Sequence, residues 1–425
     1  MHSREAFLQA IVEDPDDDTP RLIYADWLEE HGDVHRAEFI RVQCELARLP
    51  EDEEARRPAL LTREWTLLST HAKEWLAELP SLEGIKWDEV MPTGKRDMVP
   101  CFERGFASAV IAENEKAFEK QAAALFRAAP IKELRINERI EDLEVFLSCP
   151  ELERLRRLGM AAQVDRSRIG MLVNCPRLSR LTELDLSLNK LGDEGVQTLI
   201  ESPHLTRLTN LDLGSNDISA AGIRSLSTWP VHRQLQYLGL AGNSIGEASA
   251  RELLSWPSLT DLVLNGNNIG PGWVSALVES PLLARLRWLS LGGNSIGNEG
   301  IRLLADCSRP ISLFRLGLGS NGIGPAAITR LARATWLHRL EELDLGWNLI
   351  TSAGAKTLAF LAASGHVPKL KILELQYTRI GDVGASALAD SPLPSQLAGL
   401  VLRGNRIRKA IVSRLRERMG DRLEI

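Results

Sequence analysis

The sequence predicts an α/β horseshoe solenoid, with parallel strands on the inner wall and helices outside, preceded by a small all-α domain. Three observations carry that expectation. Between Leu181 and Leu415 the pattern Leu-x-x-Leu-x-Leu-x-x-Asn-x-Ile-Gly recurs nine times, as in Leu286-Arg-Trp-Leu289-Ser-Leu291-Gly-Gly-Asn294-Ser-Ile296-Gly297. Its first leucines stand at 181, 208, 235, 259, 286, 313, 340, 370 and 397, a period of 24 to 30 residues that marks a repeat architecture. Leucines at offsets 3 and 5 have strand periodicity, whereas Gly222-Ile223-Arg-Ser-Leu226 and its sisters have helical spacing. Pro150, Pro176, Pro203, Pro230, Pro257, Pro281 and Pro392 stand where helices must stop. One unit is thus strand, turn, helix and return loop, and neighbours must stack to cover the leucines.

Curvature follows from two spacings. Parallel strands sit about 4.8 Å apart and packed helices about 8–10 Å, so each repeat turns by about 20°. The Asn at 189, 216, 243, 267, 294, 321, 348 and 405 occupies the turn behind each strand, where its amide can satisfy buried backbone groups. Thr378 takes that place in the eighth unit, which predicts a slightly looser turn.

On these residues the chain resembles leucine-rich repeats of the ribonuclease-inhibitor subclass, which carry a full helix per repeat. It is also similar to the repeat domain of Ran GTPase-activating proteins. Upstream, Ile131-Lys-Glu-Leu134-Arg-Ile136 and Leu155-Arg-Arg-Leu158-Gly-Met160 read as two eroded units. Phe102 to Ala129 reads as a strand (Phe106 to Ile111) and a helix forming an N-terminal cap, and the basic helix after Leu397 as the C-terminal cap.

Residues 1–50 read as three short helices. Ser3 caps the first; Thr19-Pro20 opens the second, which ends at Gly32; the third runs from Val34 to Leu49. The run Asp14-Pro-Asp-Asp-Asp-Thr-Pro-Arg-Leu-Ile-Tyr-Ala-Asp-Trp-Leu-Glu-Glu, continued by Arg36-Ala-Glu-Phe-Ile-Arg-Val-Gln-Cys-Glu-Leu-Ala, resembles the bacterial repeat-companion domain. A charged linker and a long amphipathic helix with Trp65, Leu68 and Trp75 follow, and residues 80–100 read as irregular. The expected organisation is a companion domain at 1–50, a helical connector at 51–100, a cap with degenerate repeats at 101–180 and regular repeats with their cap at 181–425.

The 425 residues, 44% hydrophobic, supply ample core, and the net charge of −6 speaks against a nucleic-acid partner. No apolar stretch approaches the roughly 20 residues of a membrane span, and Met1-His-Ser-Arg-Glu does not open a secretory signal, so the cytoplasm of a bacterium is the expected location. Five cysteines (44, 101, 149, 175, 307) form no CxxC pair; three occupy one helix-end slot, shared with Ser202 and Ser280, and read as packing residues.

Several motifs imitate catalysis. Gly242-Asn-Ser244-Ile-Gly246 and Gly293-Asn-Ser295-Ile-Gly297 spell a nucleophile elbow, yet other units fill the Ser slot with Lys190, Asp217 or Arg406. Gly317-Leu-Gly319-Ser-Asn-Gly322 spells a dinucleotide fingerprint but arises from the repeat's own glycines. Gly94-Lys95 lacks the earlier glycine of a phosphate loop, and Gly32 separates His31 from His35. The Asp14, Asp16, Asp17 and Asp18 run suits a hard cation or, better, a helix N-terminus. No cofactor or metal is expected.

The residues between the leucines face the concave wall. There Asp185, Asp212, Tyr237, Trp288, Arg315, Asp344, Trp347, Glu374 and Tyr377 form the expected partner-binding surface. Tyr, Trp and Arg dominate interface energetics, and the flanking acids suit a protein or peptide of basic character. The expected function is therefore a non-enzymatic protein-interaction scaffold. Two alternatives stay open: regulation of an enzyme in the manner of the two resembled families, and an activity around Tyr24, Asp26 and Trp27.

Overall fold

The computed structural model describes residues 4–50, 53, 55–87 and 102–425. Expectations placed on Ser3, Gly94-Lys95 and Cys101, and on most of the 80–100 stretch, lie outside the described residues. The chain forms two compact units, one of Met1–Val164, Gly170–Leu186 and Pro203–Arg207, the other of Asp165–Ile169, Ser187–Ser202 and Leu208–Ile425.

The first unit opens with α1 (Arg4–Glu13), α2 (Thr19–Glu30), α3 (Val34–Arg48) and α4 (Arg57–Ala77). Thr19 is the first residue of α2 rather than its cap; Asp18 holds the cap position, and Asp17 Oδ1 accepts from Thr19 N at 2.8 Å. Gly32 follows α2 in the left-handed region (φ 91°), where a Cβ would be strained. On α4 the buried stripe is Leu67, Leu68 and Trp75, while Trp65 is 64% exposed.

The strands of this unit are β1 (Ile85–Lys86), β2 (Phe102–Glu103), β3 (Phe106–Ala107), β4 (Ala109–Ala112), β5 (Glu133–Ile136), β6 (Arg157–Gly159) and β7 (Glu183–Asp185). Strands β4 to β7 are parallel and bring Val110 opposite Leu134, Leu134 opposite Leu158 and Leu158 opposite Leu184, so the eroded repeats do stack. The stretch expected to be irregular contributes β1, antiparallel to β4, which covers an edge otherwise open to pairing. Two residues are too few to show a period. Helix α5 (Glu115–Ala128) is capped by Asn114, whose Oδ1 accepts from Ala117 N at 2.9 Å.

The acidic run serves as a clamp. Asp16 pairs with Lys132 (2.9 Å) and Arg156 (3.1 Å), and Asp18 with Arg48 and Arg104 (both 2.8 Å). Behind it Glu103 meets Lys132 at 2.8 Å and Arg157 at 3.2 Å, while Arg154 donates to the Val12 carbonyl at 2.7 Å. Burial by itself would raise Asp16 and Glu103, but Lys132 with Arg156, and Arg157 with Lys132, outweigh it and hold both below the ordinary carboxylate range.

The second unit carries β8 (Asn210–Asp212), β9 (Tyr237–Gly239), β10 (Asp261–Val263), β11 (Trp288–Ser290), β12 (Arg315–Gly317), β13 (Glu342–Asp344), β14 (Ile372–Glu374), β15 (Gly399–Val401) and β16 (Leu423–Glu424), all parallel. Leu211, Leu238, Leu262, Leu289, Leu316, Leu343, Leu373 and Leu400 lie in one register row and are buried. A second layer holds one helix per repeat, from Gly192–Ile200 to Gly381–Asp390. Several helix-end prolines do more than stop a helix, since Pro150–Arg154, Pro176–Leu178 and Pro230–Arg233 are 3-10 turns leading to the next strand. The cap helix Lys409–Met419 buries Leu415 and Met419, and Arg418 and Arg422 donate to the carbonyls of Ser391 (3.4 Å) and Leu397 (2.6 Å).

The asparagines form a buried ladder between repeats. Asn294 Oδ1 accepts from Asn267 N (2.8 Å) and Ile269 N (3.3 Å) of the repeat before it. Its Nδ2 donates to Leu264 O (2.8 Å), Leu291 O (3.0 Å) and Gly292 O (3.3 Å). Asn321 and Asn348 repeat the arrangement. At the eighth unit the single Thr378 hydroxyl hydrogen is directed at Leu375 O (2.6 Å), with Asn405 Oδ1 a longer second acceptor (3.1 Å). Among the described hydrogen bonds, Asn348 N and Ile350 N then have no side-chain acceptor corresponding to the one Asn348 offers Asn321 and Ile323.

Three outcomes are expected. Asn294→Ala leaves several buried backbone groups unpaired and should cost about 3 kcal/mol in urea unfolding. Thr378→Asn restores the missing rung and should raise stability by about 1–2 kcal/mol in the same measurement. Because the folded-state pKa values of Asp16 and Glu103 lie below the ordinary 3.8 and 4.5, their stabilisation is complete above those values and is lost as pH falls below them. The urea midpoint of the first unit should therefore drop between pH 6 and pH 3, and Glu103→Gln should flatten that slope.

Candidate functional site

The strand register fixes which side chains share the surface of the second unit. Alternation along each strand turns the leucines to the core and their neighbours outward. One row runs Asn210, Tyr237, Asp261, Trp288, Arg315, Glu342 and Ile372; the next runs Asp212, Gly239, Val263, Ser290, Gly317, Asp344 and Glu374. Asp185 closes β7 of the first unit.

Much of this surface is paired within the chain. Tyr237 is buried, and its hydroxyl donates to Asp212 Oδ2 at 3.0 Å; Gly214 N donates to Asp212 Oδ1 at 2.8 Å. The Tyr237 and Trp288 rings, two strands apart, have centroids 6.0 Å apart across Asp261. Arg315 Nε meets Glu342 Oε1 at 2.9 Å, Gly346 N donates to Asp344 Oδ1 at 2.8 Å, and Gln376 Nε2 donates to the buried Glu374 at 3.1 Å. Glycine makes room for these contacts: a Cβ on Gly239 would lie 2.5 Å from Asp212 Oδ2.

The turn leaving each strand differs from the rows. Its residue at offset 7 is left-handed in all nine regular repeats, with φ between 54° and 74°. Glycine holds it at 242, 266, 293 and 404, serine at 215 and 320, and the exposed Leu188 (φ 62°) in the first repeat. In the seventh and eighth repeats it is Trp347 (φ 58°) and Tyr377 (φ 55°). Their rings stack with centroids 4.0 Å apart and planes 23° apart, yet remain 60% and 38% exposed. Tyr377 also lies over Gly404, where a Cβ would come within 2.3 Å of its ring. Leu349, two residues beyond Trp347 in the chain, is also 48% exposed. Sequence reasoning named both aromatics but missed Leu349 and the backbone they occupy; the Gly and Ser residues at sister positions were the available signal.

The N-terminal candidates are also accounted for. Tyr24 is buried and stacks on Trp27 (5.8 Å), which stacks on His31 (4.0 Å), while Asp26 pairs with Arg41 at 2.7 Å. His35 stacks on His71 at 4.7 Å, away from His31. Among the described residues no three His, Cys, Asp or Glu side chains converge as metal ligands would. Cys44, Cys149 and Cys175 are buried free thiols, and burial pushes the first two up to about 12. Ser244 and Ser295 are exposed turn residues. No described helix is long and apolar enough to cross a membrane.

Five segments, residues 179–199, 203–227, 286–305, 338–359 and 366–389, match a sequence-family profile described as Leucine Rich repeat. No curated protein matches the sequence. Among solved structures, a chain of the yeast Rad7 and Elc1 complex is similar with a TM-score of 0.54 and 14% identity, over 96% of this chain and 95% of that one. An internalin from Listeria monocytogenes gives a TM-score of 0.37 and 21% identity, over 65% of this chain and 68% of that one. The likeness to the Rad7 and Elc1 complex concerns fold alone. The chain is thus an α/β solenoid built on leucine-rich repeats.

Proposed function

We propose that this protein is a non-enzymatic scaffold that binds a protein or peptide on the strand side of its repeats, with Trp347 and Tyr377 as the anchor. The observation that carries the reading is their backbone. A bulky residue held in the left-handed region costs about 1–3 kcal/mol, and such strain collects where function requires it. Trp347, 60% exposed, recovers little of that cost by burial, and Tyr377 recovers part of it over Gly404. Stacked aromatics with few rotamers are instead well suited to gripping an apolar group of a partner. Asp212, Tyr237, Trp288, Arg315, Asp344 and Glu374 complete the proposed surface. A carboxylate offers about four acceptor sites, so the bond that Asp344 accepts from Gly346 N leaves capacity for a basic side chain at the rim.

The full helices of the repeats, such as Thr351–Ala363, also favour the likeness to the ribonuclease-inhibitor subclass. On that likeness, regulation of an enzyme is the second reading, and the partner would then be a ribonuclease or a small GTPase. Absence of any effect of the purified protein on either activity would remove it.

Replacing Trp347 and Tyr377 by glycine separates binding from packing. Each change should relieve strain and leave stability unchanged or higher by about 1 kcal/mol. The partners captured by the intact chain should be lost with either variant and retained with the control Trp65→Ala on α4. Recovery of the same proteins with all variants would count against the proposal, as would a marked fall in stability.

A further inference from the structure

The N-terminal unit contains a pocket of about 330 Å³ that the scaffold role does not use. That volume is at the lower end of small-molecule sites, about 300–1,000 Å³. Its walls include Leu8, Tyr24, Trp75, Phe102 and Phe106, and among them stands Arg36. The Arg36 guanidinium carbon lies 4.6 Å from the Trp75 ring centroid, 5.1 Å from Phe102 and 5.6 Å from Phe106.

Arg36 differs from the other arginines around it in what it lacks. Arg41, Arg48, Arg104, Arg154, Arg156 and Arg157 each place a guanidinium nitrogen on a carboxylate or carbonyl oxygen. Arg36 Nη1 is buried and without a partner, as are Arg104 Nε and Arg156 Nη1, but among the described hydrogen bonds and ion pairs the Arg36 guanidinium meets no oxygen at all. The nearby acids are engaged elsewhere: Asp33 accepts from the Arg36 backbone N–H at 3.1 Å to cap α3, and Glu78 pairs with Arg4. Burial lowers the Arg36 pKa to about 10, which leaves it cationic at neutral pH. Aromatic faces offset part of the cost of burying a cation, at about 0.5–2 kcal/mol each, but they supply no acceptor for the N–H groups.

We propose that this pocket binds a small monocarboxylic acid with an apolar body, its carboxylate on Arg36 and its body among Tyr24, Trp75, Phe102 and Phe106. A planar guanidinium matches a carboxylate through two parallel hydrogen bonds. A monoanion fits better than a phosphate dianion because Glu5 and Asp33 also line the pocket and repel additional negative charge, while Arg4 offsets Glu78. The same acids would accept from an ammonium, so an apolar amino acid is a natural member of the class.

The test titrates the full chain with phenylacetate, L-phenylalanine and the neutral phenylacetamide, following heat of binding and melting temperature. Both acids should bind saturably and raise the melting temperature, the amide should bind at least about tenfold more weakly, and Arg36→Gln should lose at least about tenfold. Ala128→Phe, which fills the pocket while keeping Arg36, should abolish binding, and it decides the matter if Arg36→Gln fails to fold. The proposal is overturned if neither acid binds at about 10 mM, if amide and acid bind alike, or if Arg36→Gln or Ala128→Phe binds as the parent does.

Discussion

The second unit depends on one buried interaction, the asparagine ladder. A parallel strand three residues long satisfies few of its own backbone groups, and the turn behind it would bury the remainder unpaired. One carboxamide has both an acceptor and two donors, so it serves two preceding N–H groups and its own turn's carbonyls at once. Each Asn joins its repeat to the one before, and the strand register is therefore set by polar bonds as well as by leucines. Thr378 has the donor but no carboxamide oxygen. The ladder is weakest at that step.

That scaffold places unusual demands on the surface it presents. The turn after each strand requires left-handed backbone, and most repeats meet the demand with glycine or serine. Trp347 and Tyr377 meet it at a cost, and the rigid turn in return holds two exposed rings face to face. On the strand rows the logic is reversed. Asp212, Asp344 and Glu374 are drawn into bonds with their own neighbours, so a residue's outward direction says little about its freedom.

In the first unit, charge pairs add to the work of the apolar row that runs through Val110, Leu134, Leu158 and Leu184. The sequence shows the acidic run and the cations at 104, 132 and 156, but their pairing joins residues more than 80 positions apart. Nothing local in the chain signals it. Arg36 is the complementary case: its neighbours in space are aromatic rings from α3, α4, β2 and β3, and an oxygen partner is the one thing they do not provide.

The sequence by itself determined the repeat, its period and the strand and helix of each unit, because those follow from side-chain periodicity within a dozen residues. It also named the residues of the outward rows, since alternation along a strand leaves no other choice. It could not show β1, the role of the acidic run as a clamp, the burial of Tyr237 or the strained setting of the Trp347 and Tyr377 stack. Those depend on what each side chain meets across the fold. Burial, ion pairing and ring stacking are properties of distance in space, and only tertiary structure sets that distance.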